Sequence, residues 1–299
     1  MKLELVKIVP VQNTLGESVI WDHRLACLWW TDIHEKKLYN LDWKSQNITI
    51  FPTPERLTAI GLTENPGVLI CAFENGFAYF SPALNMIKWV HKLGAEKTTH
   101  IRLNDGRLDR QGRFWAGSMV EHPNRENLQE RGKLYCLDRK GQVSVHKEDI
   151  LISNSLSWSP DGQIMYFADT PKRQIMRMNF DSTLGHLSAP EIFSRTENGP
   201  DGSTVDQEGN LWNAEWGNGT IMQYAPSGDV IGFDKLPVSQ VACCCFAGPD
   251  MDYLCVSTAR ENLSDDIIAK EPHAGDLFIF KTTSQGLHDT LFPDIRNVL

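Results

Sequence analysis

Glu17, Asn104, Asn154 and Asp201 stand far apart in the chain, yet each occupies the same place in a recurring pattern. Each lies four residues before the last apolar residue of a short apolar run, counted back from Trp21, Leu108, Trp158 and Val205. Two carboxylates and two carboxamides brought to one point make an all-oxygen donor set. Carboxylates so placed repel each other unless a cation compensates. Oxygen donors suit Ca²⁺, Mg²⁺ or Mn²⁺, and Zn²⁺ is admissible where coordination positions stay open. Arg102, two residues before Asn104, adds a forked donor for an oxygen-rich ligand. Taken singly, each Asn or Asp reads as a turn residue before a strand; four at one equivalent position argue for a site.

The element that must position them is a repeated β-hairpin. "ESVIWDHRLACLWWTD" from Glu17, "NDGRLDRQGRFWAGS" from Asn104, "NSLSWSPDGQIMYFAD" from Asn154 and "DGSTVDQEGNLWNAE" from Asp201 each read as strand, Gly/Asx turn, strand. Two weaker copies begin at Ala59 and Ala242, where the equivalent ring positions are Thr58 and Ala242. The turn residues Asp22, Glu64, Asp109, Asp161, Asp206 and Asp250 are 42, 45, 52, 45 and 44 residues apart. A further strand pair follows most hairpins, giving four strands per repeat. That period and strand count predict an all-β fold, one six-bladed β-propeller with four antiparallel strands per blade, occupying 1–299 as a single domain. Two packed sandwiches predict no such spacing. Equivalent positions on innermost strands then form a ring at one mouth of the central channel. The second strands return to that mouth and end at Asp32, Asp169 and Glu215, of which Asp169 and Glu215 serve either as contacts beside the metal or as turn residues. Two irregular stretches break the even spacing: "VEHPNRENLQER", and "RENLSDDIIAKEPHAG" with room for one or two helical turns.

Composition narrows the class. Net charge is −9 and Lys/Arg cluster nowhere, so nucleic acid and anionic membrane are not expected partners. The N-terminus lacks a continuous apolar region, and no stretch approaches a membrane span of roughly 18 apolar residues. The seven cysteines include three in a row, a spacing that suits neither a disulfide framework nor a Cys-x-x-Cys metal site. They read as small buried fillers of a cytoplasmic protein. A closed propeller leaves few sheet edges, so a monomer is expected. No nucleophile elbow, His-Glu-x-x-His or phosphate loop is present. Metal-assisted chemistry is therefore favoured over a covalent Ser or Cys mechanism.

"GESVIWD", "RLNDGRLDRQGRFWAGSM", "SNSLSWSPDG", "GPDGSTVDQEGNLW" and the closing "GDLFIF" follow one another across nearly the whole chain. Together they resemble the gluconolactonase/regucalcin (senescence marker protein) family. The resemblance implies a six-bladed propeller that hydrolyses sugar lactones with one divalent metal. It implies that Glu17, Asn154 and Asp201 hold the metal and that Arg102 and Asn104 contact substrate. The family's further acidic contact follows an Ala-Gly-Thr-Met segment; here "AGSMVEHP" offers Glu121, with His122 in the competing register. "ACCCFAG" departs from a Thr-containing version in relatives, and altered packing is expected there. On this reading the cofactor is one divalent cation, Ca²⁺ first, with Zn²⁺, Mn²⁺ or Mg²⁺ as alternatives. The partner is a small sugar lactone, and Asp201 is the candidate general base for the attacking water. The same oxygen ring would serve a non-enzymatic propeller binding Ca²⁺ or a sugar acid, or a metal-dependent esterase acting on other esters, organophosphates included. A Ca²⁺ buffer needs six to eight oxygens and no arginine, which favours the enzyme.

Overall fold

In the computed structural model, which describes residues 3–94 and 100–294, six antiparallel sheets form a ring. The expected hairpins are the two inner strands of the six blades. Their first strands are Gly16–Asp22, Leu57–Leu62, Ile101–Leu108, Ser153–Trp158, Gly199–Val205 and Val241–Ala247. These six touch one another around the central channel. In blade 4 both His186–Leu187 and Glu191–Arg195 pair with Gln174–Asp181. Blade 6 takes its outermost strand, Glu4–Val9, from the other end of the chain, where it pairs with Leu277–Lys281. That pairing closes the ring and covers the outward edge of Leu277–Lys281.

Every innermost strand breaks register at its ring position. The breaks fall at Glu17/Ile20, Leu57/Ala59, Leu103/Gly106, Asn154/Ser157, Pro200/Ser203 and Val241/Cys243. A bulge re-aims side chains, which is why the ring residues can point along the channel mouth and not onto a blade face. Ser18 and Ser155, each just after a ring residue, have positive φ values of 51° and 61°. The residue after the ring position also stitches one blade to the next. Ser18 Oγ accepts the Ile60 N–H at 2.9 Å, Asp105 Oδ2 accepts the Leu156 N–H at 2.9 Å, and Ser155 Oγ donates to the Asp201 carbonyl at 2.6 Å.

At the far end the turns are held by their aspartates. Asp109 Oδ2 and Asp206 Oδ2 each accept the indole N–H of a tryptophan six residues on, Trp115 and Trp212, both at 2.9 Å. Burying an indole removes roughly 200 Å² from water, about 5 kcal/mol of hydrophobic stabilisation, provided its N–H finds a partner. Gly112 and Gly209 sit in these turns at φ +80° and +86°, where other residues are strained.

The C-terminal segment crosses this far mouth. Gly286 bridges Asp206, Thr290 Oγ1 donates to the Asp109 carbonyl at 2.6 Å, and Phe292 bridges Thr63. The ring mouth therefore faces the open side. All seven cysteines are buried and unpaired, in keeping with the filler reading. The helical turns expected near the end are Asp265–Lys270. Among the described residues no helix is long and apolar enough to cross a membrane.

Candidate active site

Glu17 from blade 1, Asn104 from blade 3, Asn154 from blade 4 and Asp201 from blade 5 converge at the open mouth, as the repeat requires. A hydrogen-bonded arc runs through them. Arg102 Nε donates to Glu121 Oε1 at 2.8 Å, and Arg102 Nη1 to Asn104 Oδ1 at 2.7 Å. Asn104 Nδ2 donates to Asn154 Oδ1 and to the Ser153 carbonyl, both at 3.0 Å. Asn154 Nδ2 donates to Thr170 Oγ1 at 2.9 Å, and that hydroxyl donates to the Pro200 carbonyl at 2.8 Å, next to Asp201. The arc fixes the Asn154 carboxamide with its oxygen toward Asn104. Gly117 is required behind it, because a Cβ there would collide with Ser153.

The electrostatics set two groups of acids apart. Burial pushes Glu17 above the usual carboxylate range, and Asp105 adds to the shift. Burial likewise raises Asp201, reinforced by Glu17, Asp105 and Glu261. Glu121 moves the other way. Burial would raise it, but Arg102 and Arg56 outweigh that and hold it down at about 2.

The donor chemistry fits a hard cation. Glu17 and Asp201 offer carboxylates that burial leaves in need of positive charge, and Asn154 offers a fixed amide oxygen. Among the described residues no three His, Cys, Asp or Glu side chains gather within reach of one ion. The expected set has only two carboxylates, and its third member is a carboxamide.

Residues 15–260 match the family described as SMP-30/Gluconolactonase/LRE-like region. The chain belongs to this family. Among its relatives in the SMP-30/gluconolactonase family, an L-arabinolactonase from Azospirillum brasilense is 33% identical over 95% of this chain and 94% of its own. A 6-deoxy-6-sulfogluconolactonase from Pseudomonas putida is 31% identical over 95% of this chain and 97% of its own. The solved structure of a calcium-binding regucalcin from Agrobacterium tumefaciens superposes with a TM-score of 0.90 at 30% identity, covering 97% of this chain and 98% of that one. Lactone hydrolysis is thus the general activity that the chain's named relatives support.

Other residues singled out from the sequence find places in the same mouth. Of the two competing registers, Glu121 joins the arc. His122 instead packs edge-on against His100 at 4.8 Å and accepts the Asn124 N–H on Nδ1. Asp169 is a turn residue: Oδ1 accepts the N–H groups of Leu151 and Ile152, and Oδ2 pairs with Lys172 at 3.0 Å. Asp32 ties Thr14 and Leu15 in the same way. Glu215 is buried beside Tyr224 and Asn198. Leu15, Ile33 and Ala259 are buried and pack with the partly buried Trp216 into a small apolar cluster.

Sequence reasoning missed Asp105, Thr170, Glu261 and Arg56. Asp105 had a signal: it is the one charged member of a set otherwise made of Ser18, Ala59, Ser155, Gly202 and Cys243. Arg56 had one too, standing two residues before Thr58 as Arg102 stands two before Asn104. Thr170 and Glu261 fall outside the repeat and had none.

Proposed function

We propose that this protein hydrolyses an aldono-lactone to the aldonic acid, with one divalent cation held by Glu17, Asn154 and Asp201. The observation that carries the reading is the pair of carboxylates from blades 1 and 5 at one mouth beside the Arg102–Asn104–Asn154 arc, both raised by burial, with Asp105 adding to each and Glu17 adding to Asp201. Neither forms an ion pair with Arg or Lys among the described residues. When bound, the cation supplies Lewis-acid polarisation of the lactone carbonyl. Arg102 and Asn104 bind the sugar oxygens and orient the ring, with Glu121 contributing an acceptor at the edge. Asp201 takes a proton from the attacking water. A carboxylate at the cation can take that proton over a short distance. The water oxygen bonds to the carbonyl carbon, the acyl–oxygen bond of the ring breaks, and the departing ring oxygen takes back the proton held by Asp201 to become a hydroxyl. The calcium-binding description of the Agrobacterium relative puts Ca²⁺ first among cations, and the named lactonases put five- and six-carbon aldonolactones first among substrates.

The test is lactone opening followed with a pH indicator. Metal-stripped protein is assayed across aldono-1,4- and 1,5-lactones, with Ca²⁺, Mg²⁺, Mn²⁺ and Zn²⁺ restored singly. The expected result is turnover of at least one lactone that depends on an added cation. It should be lost by ~10²-fold or more in folded Asp201→Ala. Full activity in Asp201→Ala refutes the assignment of the base. Absence of turnover in folded, cation-binding protein refutes the enzyme reading.

A further inference from the structure

Arg56 lies just before the innermost strand of blade 2, in the place Arg102 holds in blade 3. Its Nη1 donates to both carboxylate oxygens of Glu121, at 2.9 and 2.8 Å. Its Nε donates to Glu74 Oε2 at 2.9 Å, and its Nη2 pairs with the same oxygen at 2.8 Å. Glu74 is itself anchored, its N–H donating to the Arg56 carbonyl at 2.8 Å and its carbonyl accepting the Leu103 N–H at 3.3 Å. Two guanidinium groups and two carboxylates thus alternate across the seam between blades 2 and 3: Glu74, Arg56, Glu121, Arg102.

An inventory of donors and acceptors shows what this arrangement leaves for a ligand. Arg102 is 3% exposed. Its Nε and Nη1 are used, while Nη2 has no partner among the described residues. A carboxylate offers about four acceptor positions. Glu121 has given three of them to Arg56 and Arg102, which leaves one on Oε2. Asn104 has spent both N–H donors and keeps one acceptor position on Oδ1. The mouth therefore presents the two N–H donors of one nitrogen and two single acceptors, in fixed positions. Glu121 is only half-buried, and without Arg56 its carboxylate is free to swing. The number and direction of its open acceptor positions would then change, and Arg102 would lose its fixed partner.

We propose that Arg56 is a positioning residue for substrate selection: by holding Glu121 from the side away from Arg102, it determines which hydroxyl configuration of the lactone the mouth accepts. This rests on the lactonase reading above. Kinetic constants are measured for wild type, Arg56→Ala, Arg56→Lys, Glu121→Gln and the double variant Arg56→Ala/Glu121→Gln. The substrates are a pair of aldono-1,4-lactones epimeric at one hydroxyl, assayed with the activating cation. Folding is checked by circular dichroism. In Arg56→Ala, KM for the preferred epimer rises about tenfold. Its kcat stays within about twofold, and the preference between epimers falls. Arg56→Lys recovers part of that preference, since it restores charge but not the fork. The double variant is no worse than Glu121→Gln alone, because both changes remove the same restraint. An unchanged KM and preference in folded Arg56→Ala overturns the proposal. So do effects of Arg56→Ala and Glu121→Gln that multiply. If Arg56→Ala does not fold, Arg56→Lys decides, and wild-type selectivity in it overturns the proposal. Wild type inactive on every lactone overturns the lactonase reading instead.

Discussion

Removing one of the two site carboxylates should stabilise the metal-free protein while destroying its response to metal. Glu17 and Asp201 are both raised by burial, with nearby acids adding to each shift. A carboxyl raised in the folded state stabilises the fold below its unfolded pKa, and that contribution is lost as pH rises through the folded value. Glu17 is raised to about 8, so metal-free wild type should weaken as pH rises from about 5 through 8, as its charge develops without compensation. An uncompensated buried charge costs about 3 kcal/mol at the low end. For a domain of this size a kcal/mol moves Tm by roughly 2–4 °C, so Glu17→Gln should melt about 6–12 °C above metal-free wild type at pH 8.5. At pH 5 the two should differ little. Cation at 100 times its Kd stabilises wild type by about 2.7 kcal/mol, a rise of roughly 5–10 °C, and Glu17→Gln should lose most of that rise. The assay is a thermal melt of stripped protein from pH 5 to 8.5, with and without Ca²⁺. A metal-free Tm difference between wild type and Glu17→Gln that does not grow with pH would refute the reasoning. So would a variant less stable than wild type at pH 8.5.

Three further outcomes follow from named contacts. Arg102→Ala should raise KM about 10–100-fold, since it removes charge-assisted donors to the sugar; an unchanged KM takes Arg102 out of the substrate subsite. Thr170→Val frees the Asn154 carboxamide, whose Nδ2 it now accepts; cation affinity by calorimetry should fall about 10-fold or more, and unaltered affinity would show that the arc does not orient Asn154. Asp109→Ala strands the Trp115 indole and two backbone N–H groups at a buried turn; thermal melts should show a loss of about 3 kcal/mol or more, and a wild-type Tm would rule out the turn as a support of blade 3.

The hairpin period alone determined the architecture and the ring. Short apolar strands separated by Gly/Asx turns have few ways to bury themselves, and a repeat of this spacing closes on itself. Glu17, Asn104, Asn154 and Asp201 were legible because they repeat in phase, and phase survives without any knowledge of distance. Arg56 and Asp105 were legible in the same phase but went unread, because nothing in the sequence says which side of a bulge faces the mouth. Three things only the tertiary structure decided. Glu121, and not His122, turns to Arg102, because Arg56 arrives from another blade to meet it. Asp169 turns away to the backbone of Leu151 and Ile152. Residues 286–292 cross the far mouth, with Phe292 bridged to Thr63. Each of these depends on a contact between segments from 17 to more than 200 residues apart. A repeat fixes where equivalent positions lie within each blade, but which side chain meets which across two blades is decided by charge, space and hydrogen-bond supply once the ring has closed.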